Sequence, residues 1–170
     1  NPDDRICFIG PCAAKKLEAS RRSVRSDVDF VLTFEELAGM FEAKEVDFSA
    51  LEASDDLQYG TADGRGFAVG GGVAQAVVNY IKDKYPDREV KVASAQGLAD
   101  CKKMLMLAKA GKYNGYLLEG MGCPGGCIAG AGTLADPART ATLLTKYKKD
   151  APIQHSADSD FKDYGKLLHD

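Results

Sequence analysis

The sequence has no long hydrophobic run and no excess of basic residues. Its longest apolar stretches, Phe67–Val69 and Val73–Val78, are interrupted or bounded by glycines and polar residues. They are far shorter than the roughly 20 apolar residues that a membrane-spanning helix needs. The formal net charge of the 170 residues is -3, whereas a nucleic-acid-binding protein presents a basic face. The composition therefore argues against a membrane span and against a nucleic-acid partner.

A secretory signal is also missing from the amino end. The chain begins Asn1-Pro2-Asp3-Asp4-Arg5, without the basic segment and apolar segment that form a signal peptide. The five cysteines are an odd number, which argues against a disulfide framework and for a reducing cytoplasm. Because an initiator Met is absent as well, we expect the chain to be a piece of a longer cytoplasmic protein.

Short apolar runs alternate with helical patterns along the chain. The four predicted strands are Ile6–Ile9, Phe30–Leu32, Val90–Ala93 and Tyr116–Leu118. Helices are predicted after the capping box of Thr33 and Glu36, after the glycines at 70–72, over 98–110, over Pro137–Lys148 and over Asp160–His169. The glycines within residues 45–69 indicate a mobile loop with little regular structure. The alternation predicts an α/β fold, with a parallel sheet of about four strands and helices on both faces.

Two cysteine-containing loops directly follow predicted strands. Cys12 comes after the first strand, and the segment Cys123–Cys127, with the sequence Cys-Pro-Gly-Gly-Cys, comes after the fourth. Ligands of parallel sheets bind at the carboxyl ends of strands, so we expect the three cysteines to share one edge. The intervening Pro and Gly residues let the backbone wrap a metal and bring N–H groups close to sulfide. This pattern favours a metal site over the alternative, a pair of buried thiols in a tight turn.

The remaining candidate residues carry weaker signals. Lys15 and a helix N-terminus would stabilise a Cys12 thiolate, although a capping-loop cysteine beside exposed lysines is an equal alternative. Cys7 lies inside a predicted strand and Cys101 on the apolar face of a predicted helix. We expect both to be core residues, since free cysteine packs as a small hydrophobe. Gly64–Gly72 fails the phosphate-loop pattern, because no clear strand precedes it and no G-K-[ST] follows. We interpret it as a close-approach loop at a helix N-terminus.

Three thiolates are one ligand short of the four that a 4Fe–4S cluster takes. Zinc accepts three thiolates and a histidine. His155 and His169, the two histidines of the chain, lie in a polar tail without ligand spacing. The residues alone therefore complete neither a cubane nor a zinc site, and a structural zinc domain stays the weaker alternative.

Taken together, the two loops resemble the signatures of the iron-iron hydrogenase large-subunit family. The signature M-P-C-x-x-K-K stands here as Gly10–Lys16, and E-x-M-A-C-P-G-G-C-x-x-G-G-G stands as Glu119–Gly132. Asp27–Leu37 and Gly70–Ala76 also look like the family. The resemblance implies that residues 1–150 are the C-terminal half of the H-cluster domain, one lobe of the large-subunit fold. Residues 151–170 would be a tail with a helix.

The resemblance also implies the roles of individual residues. Cys12 and Cys123 would hold a 4Fe–4S cubane, and Cys127 would bridge it to a diiron subcluster. Lys15, donating to a cyanide on the distal iron, and Met121, packing beside the diiron unit, would be the catalytic residues. The implied cofactor-binding residues are Gly10, Pro11, Cys12, Lys15, Met121, Pro124, Gly125 and Gly126. The fourth ligand would come from an upstream T-S-C-C-P signature, so we expect this chain alone to be apo and inactive.

A few positions depart from the family pattern. Gly10 stands where Met is usual, Gly122 where Ala is usual, Ala129 where Asn is usual, and Gln75 where Glu is common. Smaller residues loosen the diiron pocket, which favours the sensory or regulatory branch over fast interconversion of protons and dihydrogen. The alternative is a non-enzymatic iron–sulfur scaffold or redox-signalling protein that holds only cubanes. The implied partners are the missing N-terminal half, a ferredoxin-type electron carrier, and dihydrogen and protons, in the cytoplasm of an anaerobe.

Overall fold

Four short strands in two parallel pairs form the framework of the fold. The computed structural model describes residues 3–21, 23–24, 27–54 and 59–164. Within these ranges, β1 (Cys7–Ile9) pairs with β2 (Phe30–Leu32), and β3 (Lys91–Gln96) pairs with β4 (Tyr116–Met121). The predicted α/β class, the four strands and their parallel direction are confirmed.

The strands do not join into the single sheet that the sequence predicts, because they form two separate two-stranded sheets. β1 and β2 are only three residues long, so their ladder offers few hydrogen bonds to a further strand. Apolar side chains on this pair remain exposed, with Phe30 at 58% and Ile9 at 46% of their full accessibility. A parallel sheet is ordinarily covered on both faces. The described residues leave this pair incompletely covered.

The helices around the first sheet follow from local capping chemistry. α1 (Ala14–Ser20) begins just after Cys12, and α2 (Phe34–Ala43) begins after Thr33. The predicted capping box is confirmed: Glu36 N–H donates to Thr33 Oγ1 at 3.2 Å, and Thr33 N–H donates to Glu36 Oε2 at 2.9 Å. The ammonium of Lys16 donates to the same carboxylate at 2.8 Å, which ties α1 to α2.

Three longer helices follow between residues 72 and 149. α4 (Gly72–Lys84) and α5 (Leu98–Lys109) carry Val78 and Met104 into the small apolar core. α6 (Pro137–Lys149) has Asp136 as its N-cap and Pro137 in its first turn. All three helices lie where the sequence predicts them. No helix in the described part of the chain has the length and apolar character to cross a membrane.

The prediction of a mobile loop over residues 45–69 is wrong for the later described part of that segment. α3 (Ala62–Arg65) is capped by Thr61, whose Oγ1 accepts the Gly64 N–H at 3.0 Å. The guanidinium of Arg65 donates to the carbonyl oxygen of Tyr147 at 2.8 Å and stacks 3.8 Å from the centre of its ring. These contacts bury Arg65. The glycines here permit close packing instead of mobility.

The C-terminal segment packs back onto α3. The backbone N–H of Ala62 donates to the carbonyl oxygen of Ile153 at 2.8 Å, and that of Asp63 donates to Gln154 at 3.2 Å. The predicted helix Asp160–His169 lies partly outside the described residues, since the structure describes only 160–164 of it. There the backbone forms a turn at 160–161 and a short 3-10 helix over 162–164, with the Tyr164 N–H donating to Phe161 at 3.0 Å.

The chain exposes far more surface than a compact monomer of its size. Its accessible surface is 12816 Å² for a mass of 18.2 kDa, against about 8,100 Å² from the scaling of folded monomers. The buried apolar residues of the described part are mostly small, namely Ala62, Ala74, Ala76, Val78, Met104, Ile128 and Ala151. The fold therefore offers broad apolar surface to a partner.

Candidate metal centre

The fold brings the two cysteine loops into backbone contact. The first loop follows β1 and contains Pro11, and the second follows β4 and continues to Gly132. The N–H of Gly132 donates to the carbonyl oxygen of Pro11 at 3.0 Å, and a methyl group at Gly130 would overlap that same oxygen. Glycine at position 130 is thus required for this approach. Two loops that are far apart in sequence lie side by side at the carboxyl ends of two different strands.

The thiols of the two loops lie close enough to influence one another. Partial burial of its sulfur raises the pKa of Cys127, the Cys12 and Cys123 thiols raise it further, and the Lys15 ammonium lowers it. Cys12 and Cys123 are partly buried, and Cys127 is exposed. The structure therefore groups the three cysteines that the sequence singles out, with one lysine beside them.

The three thiols are not arranged around one metal ion. Within the described ranges, no group of three His, Cys, Asp or Glu side chains is placed to hold a single ion. A cubane spreads its ligand positions over several iron atoms, so its cysteines do not converge on one point. The donor set, three thiols in two contacting glycine-rich loops, fits part of an iron–sulfur site.

Two glycines between the cysteines shape the second loop. Gly125 and Gly126 both have positive φ, at 92° and 89°, a region that L side chains rarely adopt. A methyl group at Gly126 would lie 2.5 Å from the carbonyl oxygen of Ala68 and 2.6 Å from the N–H nitrogen of Gly70. The cysteine loop therefore rests directly on the glycine-rich segment before α4, which confirms the close approach predicted there. The first part of the segment Gly64–Gly72 is helical and not a loop, because it lies in α3 and in a 3-10 helix, Gly66–Ala68.

Two side chains that the sequence analysis leaves without a role hold the second loop in place. Gln96 Oε1 accepts the N–H of Gly125 at 2.6 Å. Glu119 is buried and accepts the N–H groups of Val73 and Ala74 on one carboxylate oxygen. The register of the second sheet places Gln96 opposite Met121, and no pattern in the sequence indicates that position.

The other predicted site residues have mixed surroundings. Lys15 donates to both carboxylate oxygens of Glu18 at 2.8 Å, so in this structure its ammonium is held by its own helix. The carbonyl oxygen of Met121 accepts the Gly97 N–H at 2.8 Å, and the Met121 side chain is partly buried. The ring of Pro124 would contact a methyl group at Gly97 at 3.6 Å. These contacts place Met121 and Pro124 against the end of β3.

The departures from the family pattern have different consequences. A methyl group at Gly10 would lie 2.7 Å from the ring of Phe8, whereas one at Gly122 would meet only Leu98, at 4.0 Å. The Phe8 ring therefore occupies the space beside Gly10, and the space beside Gly122 is open. The loosening of the diiron pocket stays a prediction.

The cysteines outside the two loops are less buried than the sequence predicts. Cys7 is exposed because its three-residue strand has a single neighbour, so the prediction of a core residue is wrong. Cys101 is partly buried, and its sulfur lies 3.5 Å from the carbonyl oxygens of Ala95 and Met121. His155 lies 3.5 Å from Asp63 and not beside the cysteines, and His169 lies outside the described residues.

The chain is similar to hydrogenases over most of its length. The family model described as "Iron only hydrogenase large subunit, C-terminal domain" matches residues 2–131. The periplasmic [Fe] hydrogenase large subunit of Nitratidesulfovibrio vulgaris is 32% identical over 80% of this chain and 42% of its own length. A probable cytosolic Fe-S cluster assembly factor of Drosophila virilis is 30% identical over 76% of this chain and 36% of its own length. The chain thus spans less than half of each of these relatives.

Solved structures have the same fold. A variant of [FeFe]-hydrogenase HydA1 from Chlamydomonas reinhardtii superposes with a TM-score of 0.65 at 19% identity. The match covers 98% of this chain and 59% of that one. Because the identity is low, this likeness shows the fold alone. The family match and the sequence relatives carry the assignment: the chain belongs to the iron-only hydrogenase large-subunit family, as part of its C-terminal domain.

Proposed function

We propose that this chain supplies half of an H-cluster site in a protein that converts or senses dihydrogen. Cys12 and Cys123 would bind a 4Fe–4S cubane, and Cys127 would link it to a diiron subcluster. The observation that carries the proposal is the contact between the two cysteine loops through Pro11 and Gly132. This contact brings thiols from distant parts of the sequence to one place. Neither a disulfide framework nor packing of the cysteines in the core would explain why the two loops meet.

The residues around the thiols have separate tasks in this proposal. When bound, the cluster supplies electron transfer and the chemistry of dihydrogen. Gly125 and Gly126 let the backbone approach the cluster closely, and Pro11 and Pro124 shape the pocket. Lys15, after release from Glu18, provides a positive donor to a cyanide ligand of the diiron unit, and Met121 packs beside it. The partly buried side chain of Met121 supports that placement.

The fourth cubane ligand and the cover of the exposed surface would come from the rest of the polypeptide. The accessible surface exceeds that of a compact monomer by roughly 4,700 Å², which is more than the roughly 1,000–2,500 Å² that each partner of an ordinary obligate interface buries. Exposed apolar side chains on several elements, among them Phe30, Phe34, Leu98 and Leu105, support such a cover. The chain by itself would then hold no complete H-cluster and show no activity. A ferredoxin-type carrier in the cytoplasm would exchange the electrons.

A non-enzymatic function has support from two of the relatives. Besides the Drosophila virilis protein, a cytosolic iron-sulfur assembly component of Pongo abelii is 28% identical over 82% of this chain. A protein of that kind would hold cubanes only. The presence of Lys15 in α1 and of Met121 at the end of β4, each next to a cysteine loop, favours the diiron proposal, because a cubane-only site makes no use of a cyanide donor.

Infrared spectroscopy of the matured full-length protein distinguishes the two functions. We expect carbon monoxide and cyanide bands in the anaerobically matured wild type, and their loss in the variant Cys127→Ala. Iron with no such bands would favour the cubane-only protein, and stoichiometric zinc without iron would overturn both. The matched control is Cys7→Ala, which changes an exposed cysteine outside the two loops and is expected to leave the bands and the iron content unchanged.

A further inference from the structure

The side chain of Gln96 connects two loops that the proposed cluster would touch. Gln96 is the last residue of β3, and its Oε1 accepts the Gly125 N–H at 2.6 Å. The other end of its amide packs directly on Gly70, where an added methyl group would overlap it. The Gln96 side chain therefore lies between the glycine-rich segment before α4 and the centre of the cysteine loop, and contacts both.

The next residue extends this attachment. Gly97 has a φ of 84° and donates its N–H to the carbonyl oxygen of Met121 at 2.8 Å. The cysteine loop is thus attached to the end of β3 at two backbone positions, Met121 and Gly125. Since Gly125 and Gly126 have no side chains that would restrict their backbone, the amide of Gln96 holds the middle of the loop in its observed orientation.

The direction of the Gly125 N–H matters for the chemistry of a cluster. Hydrogen bonds from N–H groups to the sulfurs of an iron–sulfur cluster stabilise its reduced form and raise its reduction potential. Gly125 lies between Cys123 and Cys127, so its N–H is among those nearest to a cluster bound there. In the structure that N–H is taken by Gln96.

We propose that Gln96 is a positioning residue that withholds the Gly125 N–H from the cluster sulfurs and thereby lowers the reduction potential of the bound cluster. This inference rests on the proposed function, because it requires a cluster bound to Cys123 and Cys127. It assigns a role to a residue outside both cysteine signatures.

Two substitutions at this position are expected to move the potential in opposite directions. Gln96→Met has a similar length and no acceptor, so it frees the Gly125 N–H and raises the potential of the reconstituted full-length protein. Gln96→Glu keeps an acceptor and adds a negative charge, so it lowers the potential. Gln154→Met is the matched control, because the side chain of Gln154 donates to Ala151 in the C-terminal segment. It is expected to leave the potential unchanged.

Amide exchange in the cluster-free protein tests the hydrogen bond separately. Gln96→Met is expected to accelerate exchange of the Gly125 N–H about fivefold, the effect of losing one ordinary hydrogen bond, whereas Gln96→Glu and Gln154→Met are expected to retain protection. Unchanged exchange in Gln96→Met would overturn the positioning role. A bound cluster with the same potential in all variants would overturn this inference alone, and failure to bind any cluster would overturn the proposed function with it.

Discussion

The buried carboxylate of Glu119 accepts the backbone N–H of Val73 at 3.0 Å. The same oxygen accepts the N–H of Ala74 at 3.1 Å. α4 has no side-chain cap of its own, because Gly71, with a φ of 88°, stands at the N-cap position. Glu119, which belongs to the strand that leads to the cysteine loop, therefore caps α4. The partial positive charge of a helix N-terminus favours a carboxylate at this end.

Removal of this carboxylate is expected to destabilise the fold. In Glu119→Ala the buried N–H of Ala74 and the partly buried N–H of Val73 lose their acceptor, which costs about 2–3 kcal/mol of unfolding free energy. Glu119→Gln keeps one carbonyl oxygen and is expected to lose about 1 kcal/mol. Denaturant unfolding of the full-length protein measures both. Glu42→Ala, at an exposed position of α2, is the control, and equal stability of Glu119→Ala and Glu42→Ala would contradict the capping role.

Features that depend on neighbouring residues could be predicted from the sequence. The capping box of Thr33 and Glu36 is complete within four residues, and the strands before Cys12 and Cys123 show as short apolar runs. Both cysteine loops therefore appear at the expected strand ends. Their roles as cluster ligands remain predictions.

Features that depend on distant partners could not be predicted. Arg65 is buried by Tyr147, which lies 82 residues away in the sequence, and no local pattern indicates that pair. Gln96 has no motif of its own, and only the fold brings its amide to Gly125. The division of the strands into two sheets is likewise set by long-range packing, to which a run of three apolar residues gives no clue.

The buried guanidinium of Arg65 is expected not to tolerate lysine. Its Nε donates to Gly60 at 3.0 Å, in addition to its hydrogen bond and stacking contact with Tyr147. Lysine cannot reproduce the planar fork or the stacking, so Arg65→Lys is expected to lower the unfolding free energy by about 2 kcal/mol. Arg88→Lys, at an exposed position, serves as the control. A loss of unfolding free energy below about 0.5 kcal/mol in Arg65→Lys would show that a positive charge at this position is enough to stabilise the fold, without the planar guanidinium.

The capping box of α2 is expected to weaken in acid. The hydrogen bond from Lys16, followed by that from the Thr33 backbone, lowers the pKa of Glu36 below its usual value. A carboxyl whose pKa is lower in the folded state stabilises the fold above its unfolded pKa. That contribution is lost as the pH falls through the folded pKa.

The Glu36 carboxyl can be followed by NMR as the pH is lowered. We expect its midpoint to rise in Lys16→Met, because the largest cause of the lowered pKa is removed. Lys44→Met, which changes a lysine beyond the opposite end of α2, is expected to leave the midpoint in place. The same Glu36 midpoint in Lys16→Met and the wild type would contradict the assigned cause.

The two glycines of the cysteine loop offer a matched pair of substitutions. Both have positive φ, so an alanine at either position is strained. At Gly126 the strain is larger, because its ψ of -167° puts the backbone in a region that only glycine ordinarily adopts. Their surroundings differ, because a methyl group at Gly125 meets only the side chain of Ala129, at 3.4 Å. At Gly126 it would press on the backbone of the segment Ala68–Gly70.

Gly126→Ala is therefore expected to cost about 1–3 kcal/mol more than Gly125→Ala, since backbone must move to admit the methyl group. That movement separates the cysteine loop from the glycine-rich segment, so the iron content of the reconstituted full-length protein is expected to fall in Gly126→Ala and to stay near the wild-type value in Gly125→Ala. Iron analysis and thermal unfolding measure the two effects. Equal losses in both variants would mean that the positive φ, and not the close approach of the two loops, limits this site.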